Sequence, residues 1–149
     1  MNPRRISIGA LVALTATGLF LTLVTTGLLM SSQTVPSSGT ISAVNVGVYS
    51  DSGCTLNLTS ISWGSMSPGN STTRTIYVKN TGSLPVTLTM TTSGWTPASA
   101  STYLSLAWNR ENYVLAVGSS IAATLTLTAS SSAGNITSYS FNIVITGTE

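Results

Sequence analysis

From residue 31 onward the groups able to do acid, base or nucleophilic chemistry are few. They are Asp51, Arg74, Lys79, Arg110, Glu111, Glu149 and the single Cys54, and the chain has no His. With no Asp/Glu–His pair, none of its many serines has a partner to activate it. Lys79, beside Asn80 at an expected strand end, would act as a base only if desolvated. Asp51 sits in Tyr49-Ser50-Asp51-Ser52-Gly53 and Glu111 in Asn109-Arg110-Glu111-Asn112. Both are turn compositions, in which a carboxylate bonds the local backbone. A calcium site takes several oxygens and usually more carboxylates than these. One cysteine cannot build a thiolate metal site. No Gly-rich loop follows a strand and opens a helix. The expectation is a protein that is not an enzyme, with no catalytic residue, no metal and no cofactor.

Other residue types point to binding or modification. Asn57-Leu58-Thr59, Asn70-Ser71-Thr72 and Asn135-Ile136-Thr137 each match the N-glycosylation pattern. Asn70 and Asn135 fall in expected loops, while Asn57 falls in an expected strand and must point outward to carry a glycan. Trp95 and Trp108 are candidates for stacking on sugars, against the commoner use of Trp as core or rim packing. Cys54 has no intramolecular disulfide partner. It is either a small buried hydrophobe or an intermolecular bridge in an oxidising compartment.

Export is read from the N-terminus. Arg4 and Arg5 precede an uncharged run over residues 6–30. As a helix that run is about 37 Å long, enough for a bilayer core of about 30 Å with some tilt. The arginine pair belongs on the cytoplasmic side, which puts the remainder outside. A cleaved signal peptide is the alternative, although the run exceeds a usual signal core and no A-x-A-like site follows it. The whole-chain charge of +2 resides in those two arginines. The rest is neutral (Arg74, Lys79 and Arg110 against Asp51, Glu111 and Glu149), so no nucleic-acid footprint exists. Neutrality also leaves little repulsion between copies, so self-association, or masking by glycans, is expected.

The elements follow from composition and period. Residues 31–39 (SSQTVPSSG) read as a linker between the 1–30 anchor or signal segment and one domain over 40–149. From residue 31 there are 44 Ser and Thr, interleaved with Val, Ile, Leu and Tyr. Leu84, Val86, Leu88 and Met90 alternate with Pro85, Thr87 and Thr89. Ile121, Ala123, Leu125 and Leu127 alternate with Ala122, Thr124 and Thr126. Tyr139, Phe141, Ile143 and Ile145 alternate with Ser140, Asn142 and Val144. Period two puts one set inward and the β-branched Thr set in water. Strands are expected at 41–49, 55–62, 72–79, 84–92, 103–108, 112–116, 120–129 and 138–146. Asn80-Thr81-Gly82-Ser83 reads as a hairpin turn. The fold class is all-β: a sandwich of seven to eight antiparallel strands behind one N-terminal transmembrane or signal helix. The 41–49 strand carries Ile41, Val44, Val46 and Val48 after a flexible linker. Either it is the first strand of its own sandwich, or it completes a neighbour by strand addition.

The stretch from Trp63 through Ser67-Pro68-Gly69-Asn70, the alternating Arg74-Thr75-Ile76-Tyr77-Val78 and Asn80-Thr81-Gly82 to Val86 resembles a recurring signature of immunoglobulin-like surface modules. So does Trp108-Asn109-Arg110-Glu111-Asn112-Tyr113-Val114-Leu115. The similarity is to archaeal cell-surface modules, a subset of which occurs in archaeal bundling pilins and the related camelysin-type biofilm-fibre proteins. It covers most of residues 40–149 and implies an immunoglobulin-like β-sandwich, export, and a role as spacer, adhesin or fibre subunit. Camelysin-type proteins have been labelled metallopeptidases, and a chain without His offers nothing to carry that over. The expectation is a non-catalytic cell-surface structural or adhesive protein, membrane-anchored through residues 6–30. The alternatives are a secreted pilus or filament subunit assembling by donor-strand addition from residues 41–49, and an envelope carbohydrate-binding module.

Overall fold

Alternation of apolar and hydroxyl side chains builds the molecule into two facing sheets. The computed structural model describes residues 37–149, with residues 42–44 and 135 described for their backbone. The strands are β1 (Ser37–Val44), β2 (Val46–Tyr49), β3 (Ser60–Ser62), β4 (Ser71–Asn80), β5 (Val86–Thr96), β6 (Leu104–Trp108), β7 (Val114–Leu115), β8 (Ser120–Ala129) and β9 (Tyr139–Thr148). One helical turn, α1 (Ala100–Tyr103), precedes β6, and a 3-10 turn (Ala133–Asn135) precedes β9. One sheet has the order β3-β1-β9-β5-β7 and the other β2-β4-β8-β6. The described residues are therefore mostly β in two sheets, consistent with an all-β sandwich and with the alternation of their side chains. The expected membrane span at 6–30 lies outside the described residues.

The core lies between the sheets. Val86, Leu88, Phe141, Ile143 and Ile145 face Ile76, Val78, Ala123, Leu125 and Leu127, all buried. Along β8 every second residue from Ala123 is buried while Thr124, Thr126 and Thr128 are partly exposed. β9 alternates in the same way from Tyr139 to Ile145. The shared register of β4 and β8, with Ile76 opposite Ala123 and Val78 opposite Ile121, keeps the apolar sets on one face.

Several expectations are corrected. The strand expected at 41–49 is two strands in different sheets, broken at Asn45, which has a left-handed backbone (φ 59°). Asn is among the few non-glycine residues that tolerate this conformation. β1 already begins at Ser37, inside the expected linker, and it runs parallel to β9 and antiparallel to β3. Among the described residues, nine strands with one parallel pair thus replace the seven to eight antiparallel ones expected. Residues 55–59 form a loop, and only Ser60–Ser62 of that expected strand are extended in a ladder. Asn80–Ser83 is no hairpin: β4 pairs with β2 and β8, whereas β5 pairs with β7 and β9. The turn carries the chain from one sheet to the other. Leu84, expected inward, is exposed in that crossing.

Gly147 closes the sandwich where β2 meets β9. A Cβ there would lie 2.9 Å from methyl groups of both Val46 and Val86, so only glycine permits the approach.

Candidate functional site

The N-terminal strand pair is the most distinctive feature among the described residues. Ile41 of β1 and Val46 and Val48 of β2 are buried, on opposite sheets. Val44 pairs through its backbone with Thr146 of β9. Asn45, at the crossing, donates from Nδ2 to the Gly147 carbonyl at 3.3 Å. Ile41, Val46 and Val48 thus pack in their own sandwich, on two strands joined by one left-handed residue.

The seat around β1 holds two buried polar atoms without hydrogen-bond partners, Trp63 Nε1 and the Tyr139 hydroxyl. A Cβ on Gly39 of β1 would stand 3.2 Å from that indole nitrogen, so glycine makes room for the ring but offers it no acceptor. Burial pushes the Tyr139 phenol above its ordinary pKa. The Ser37 hydroxyl opposes the shift while lying outside hydrogen-bond geometry. Trp63, Trp95 and Tyr139 all stack on Phe141, Trp95 at 4.1 Å between ring centroids and the other two at 6.3 Å.

An unpaired buried hydroxyl costs about 1–3 kcal/mol of desolvation. Tyr139→Phe is therefore expected to stabilise the domain by about 1 kcal/mol, raising Tm by about 4 °C. Alkali supplies a second readout. The folded state holds the phenol protonated longer than the unfolded chain does. Wild-type stability is full below the ordinary phenol value of about 10 and falls as pH rises beyond it. The variant lacks that part of the alkaline loss. A Tyr139→Phe protein with lowered Tm would mean the hydroxyl has a partner.

Among the described residues, Asp51, Arg74, Arg110 and Glu111 are engaged in holding the backbone. Asp51 accepts from the Leu56 amide at 2.8 Å, the Thr55 amide at 3.0 Å and the Thr55 hydroxyl at 2.8 Å. The Leu56 amide is the main cause of its lowered pKa. Arg74 donates from Nε to the Ser62 carbonyl at 2.9 Å and from Nη2 to the Trp63 carbonyl at 3.1 Å. Arg110 donates to the Ala122 carbonyl at 2.9 Å and lies 5.4 Å from the Tyr113 ring centroid, a cation–π distance. Glu111 accepts from Trp108 Nε1 at 2.6 Å and from the Met90 amide at 3.3 Å. Residues 109–113 thereby tie the end of β6 to β5 in the opposite sheet. Among the described residues no three of His, Cys, Asp and Glu are grouped to hold a metal ion.

The modification candidates lie apart from one another in the fold. Asn57 is exposed and makes a single bridge to Tyr49, in a loop instead of the expected strand. Asn70 is exposed at the end of the Ser67–Asn70 turn, where its amide bonds the Ser67 carbonyl at 3.1 Å. Asn135 closes the 3-10 turn. Cys54 is a free, part-exposed thiol in the Asp51 turn, with a left-handed backbone (φ 52°). Trp95 stacks on Phe141 and donates to Thr92 Oγ1 at 3.3 Å, while Trp108 is held by Glu111. Trp95 and Trp108 belong to different sheets and are not brought together as one platform. An open cleft of about 190 Å³ beside Arg74 is smaller than ordinary ligand pockets, and its one cation is the engaged Arg74.

Sequence reasoning missed Asn80, which is fully buried. Its side chain bonds three backbone groups of the crossing turn and β7. The Asn-Thr-Gly signature marks a turn without saying that the Asn is interior. Alternation marks Tyr139 as inward, but nothing local says that its hydroxyl and the Trp63 indole nitrogen meet β1, which only nonlocal pairing brings there. Compared with family models, curated proteins and solved structures, the chain finds no match.

Proposed function

We propose that this chain is a non-catalytic cell-surface structural or adhesive protein. In this reading an immunoglobulin-like sandwich is held outside the cell by a membrane segment at residues 6–30, with glycans at its sequons. One observation carries it: four of the groups that might do chemistry are used as fasteners. Asp51, Arg74, Arg110 and Glu111 each bond backbone carbonyls or amides that shape loops and cross the two sheets. Groups tied in this way stiffen a module and are not free to move protons. The strand orders support the immunoglobulin-like part. The sheet β2-β4-β8-β6 has the chain order of strands A, B, E and D, and β5 with β9 that of C and F.

A second reading, a secreted filament subunit joined by strand donation, is favoured by the seat of β1. The place beside β9 that a last antiparallel strand takes in such a sandwich is taken by β1, running parallel. A head-to-tail exchange of that strand builds open filaments.

Intact mass and N-terminal sequencing of natively produced protein, from membranes and from shed surface material, separate the two. An intact N-terminus in membranes with added hexose mass is the expected result. A start between residues 31 and 40 in shed, high-mass material overturns the anchored reading and favours the filament.

A further inference from the structure

The geometry points to β6 as a self-pairing edge through which two copies of this chain join their β2-β4-β8-β6 sheets into one antiparallel sheet. Open sheet edges are templates for another strand, and proteins usually blunt them. Among the described residues there are four sheet edges, and three of them are blunted. On β3, Arg74 of the other sheet takes the Ser62 and Trp63 carbonyls. Along β2, the following loop folds back, with the Leu58 amide on the Val48 carbonyl at 2.9 Å and the Ser50 amide on the Leu56 carbonyl at 3.0 Å. β7 is two residues long.

Among the described residues, β6 has none of these devices. Its sequence Leu-Ser-Leu-Ala-Trp contains no charge, no proline and no sequon, and its pairing with β8 has no bulge. The bonds of Ser130 to the Tyr103 carbonyl and of the Asn109 amide to the Thr124 carbonyl fix the alternation. Ser105 and Ala107 bond β8, so Leu106 and Trp108 turn their N–H and C=O outward. Leu104 turns its C=O outward too, its N–H being taken by the Ala100 carbonyl.

The occupant that matches is a second β6. Pairing about Leu106 lets each Leu106 amide reach the other Leu106 carbonyl, and each Trp108 amide reach the other Leu104 carbonyl. The open groups that remain are the two Trp108 carbonyls at the ends. Leu106 and Trp108, both partly exposed, gain cover from Leu106 and Leu104 of the second copy on the same face. Exposed Ser105 meets exposed Ala107 on the other face, both small enough for close approach. No charge on the strand repels its copy. The nearest, Arg110 and Glu111, are of opposite sign and tied to Ala122 and Trp108. This holds whichever way the N-terminus is used.

The test uses the full chain in detergent, followed by sedimentation across a concentration series. Ser105→Lys with Ala107→Lys places Lys opposite Lys in the pair, on outward positions that leave the core untouched. Like charges directly opposite destabilise a strand pair, so this variant is expected to dimerise about tenfold more weakly or not at all. The Ser105→Glu, Ala107→Glu variant should behave alike, and an equimolar mixture of the two should recover the dimer. Independently of any substitution, the wild-type Leu106 amide should exchange with solvent about tenfold more slowly at concentrations where dimer forms. A wild type that stays monomeric, a dimer the lysine pair leaves intact, or Leu106 exchange that ignores concentration each overturns the proposal.

Discussion

Ile143→Asp is expected to leave no folded domain at 25 °C. Ile143 is fully buried in the middle of β9, paired with Ile41 of β1 on one side and Thr92 of β5 on the other. Losing its aliphatic side chain alone costs about 2–5 kcal/mol for transfer and cavity. An unpaired carboxylate in the same place costs several kcal/mol more, whether it stays charged or takes up a proton. A domain of this size has roughly 5–15 kcal/mol in total, so the sum consumes most or all of it. Far-UV circular dichroism should show neither a β spectrum nor a cooperative melt. Thr126→Lys is the matched control, in the opposite sheet on the outer face of β8 between Thr73 and Ala107. It should change stability by no more than about 0.5 kcal/mol. A cooperative, near-native melt for Ile143→Asp would mean that the register of β9 is wrong, and a large loss for Thr126→Lys would say the same of β8.

The strands that were legible in the sequence are those whose faces differ in kind. In β4, β8 and β9 one face meets the core and the other meets water, and a chain rich in Thr writes that difference as strict alternation. The break at Asn45 was not legible. Valines stand on both sides of it, and nothing local says that residues before and after it join different sheets. The parallel seat of β1 beside β9 is a pairing about a hundred residues away in sequence, which no local pattern encodes. The Asn-Thr-Gly turn was legible as a turn and misread as a hairpin, because turn chemistry does not specify which sheet receives the next strand. For the site, sequons and tryptophans were found by type, but type does not place them. Trp95 lies on Phe141 and Trp108 on Glu111 for reasons that appear only once β5, β9 and the 109–113 loop are assembled.

Asn80→Leu is expected to cost about 3–5 kcal/mol, unusually much for a substitution that keeps the branching and heavy-atom count of the side chain. The Asn80 Nδ2 group donates to the Leu84 carbonyl at 2.8 Å and the Leu115 carbonyl at 3.1 Å, and Oδ1 accepts from the Gly82 amide at 2.8 Å. One side chain therefore satisfies three backbone groups where the chain leaves β4, crosses to the other sheet and meets the short β7. Leucine leaves all three unpaired, at about 1–3 kcal/mol for each that water cannot reach. Asn80→Asp separates this account from simple loss of packing. The carboxylate keeps an acceptor for Gly82 but turns its other oxygen toward carbonyls. The folded state then favours the protonated acid, which can donate one bond. Its folded pKa is raised above the ordinary carboxylate value of about 3.9. Stability relative to wild type is greatest below that value and is lost as pH rises through the folded pKa. Asp51, whose pKa the Leu56 amide lowers, loses its contribution in acid in both proteins alike, so the gap between them reports residue 80 alone. Urea titrations of wild type, Asn80→Leu and Asn80→Asp at neutral and acid pH read this directly. If the leucine variant loses under 1 kcal/mol, or the aspartate variant gains nothing on wild type in acid, the crossing is held by its backbone alone and the interior amide is incidental to it.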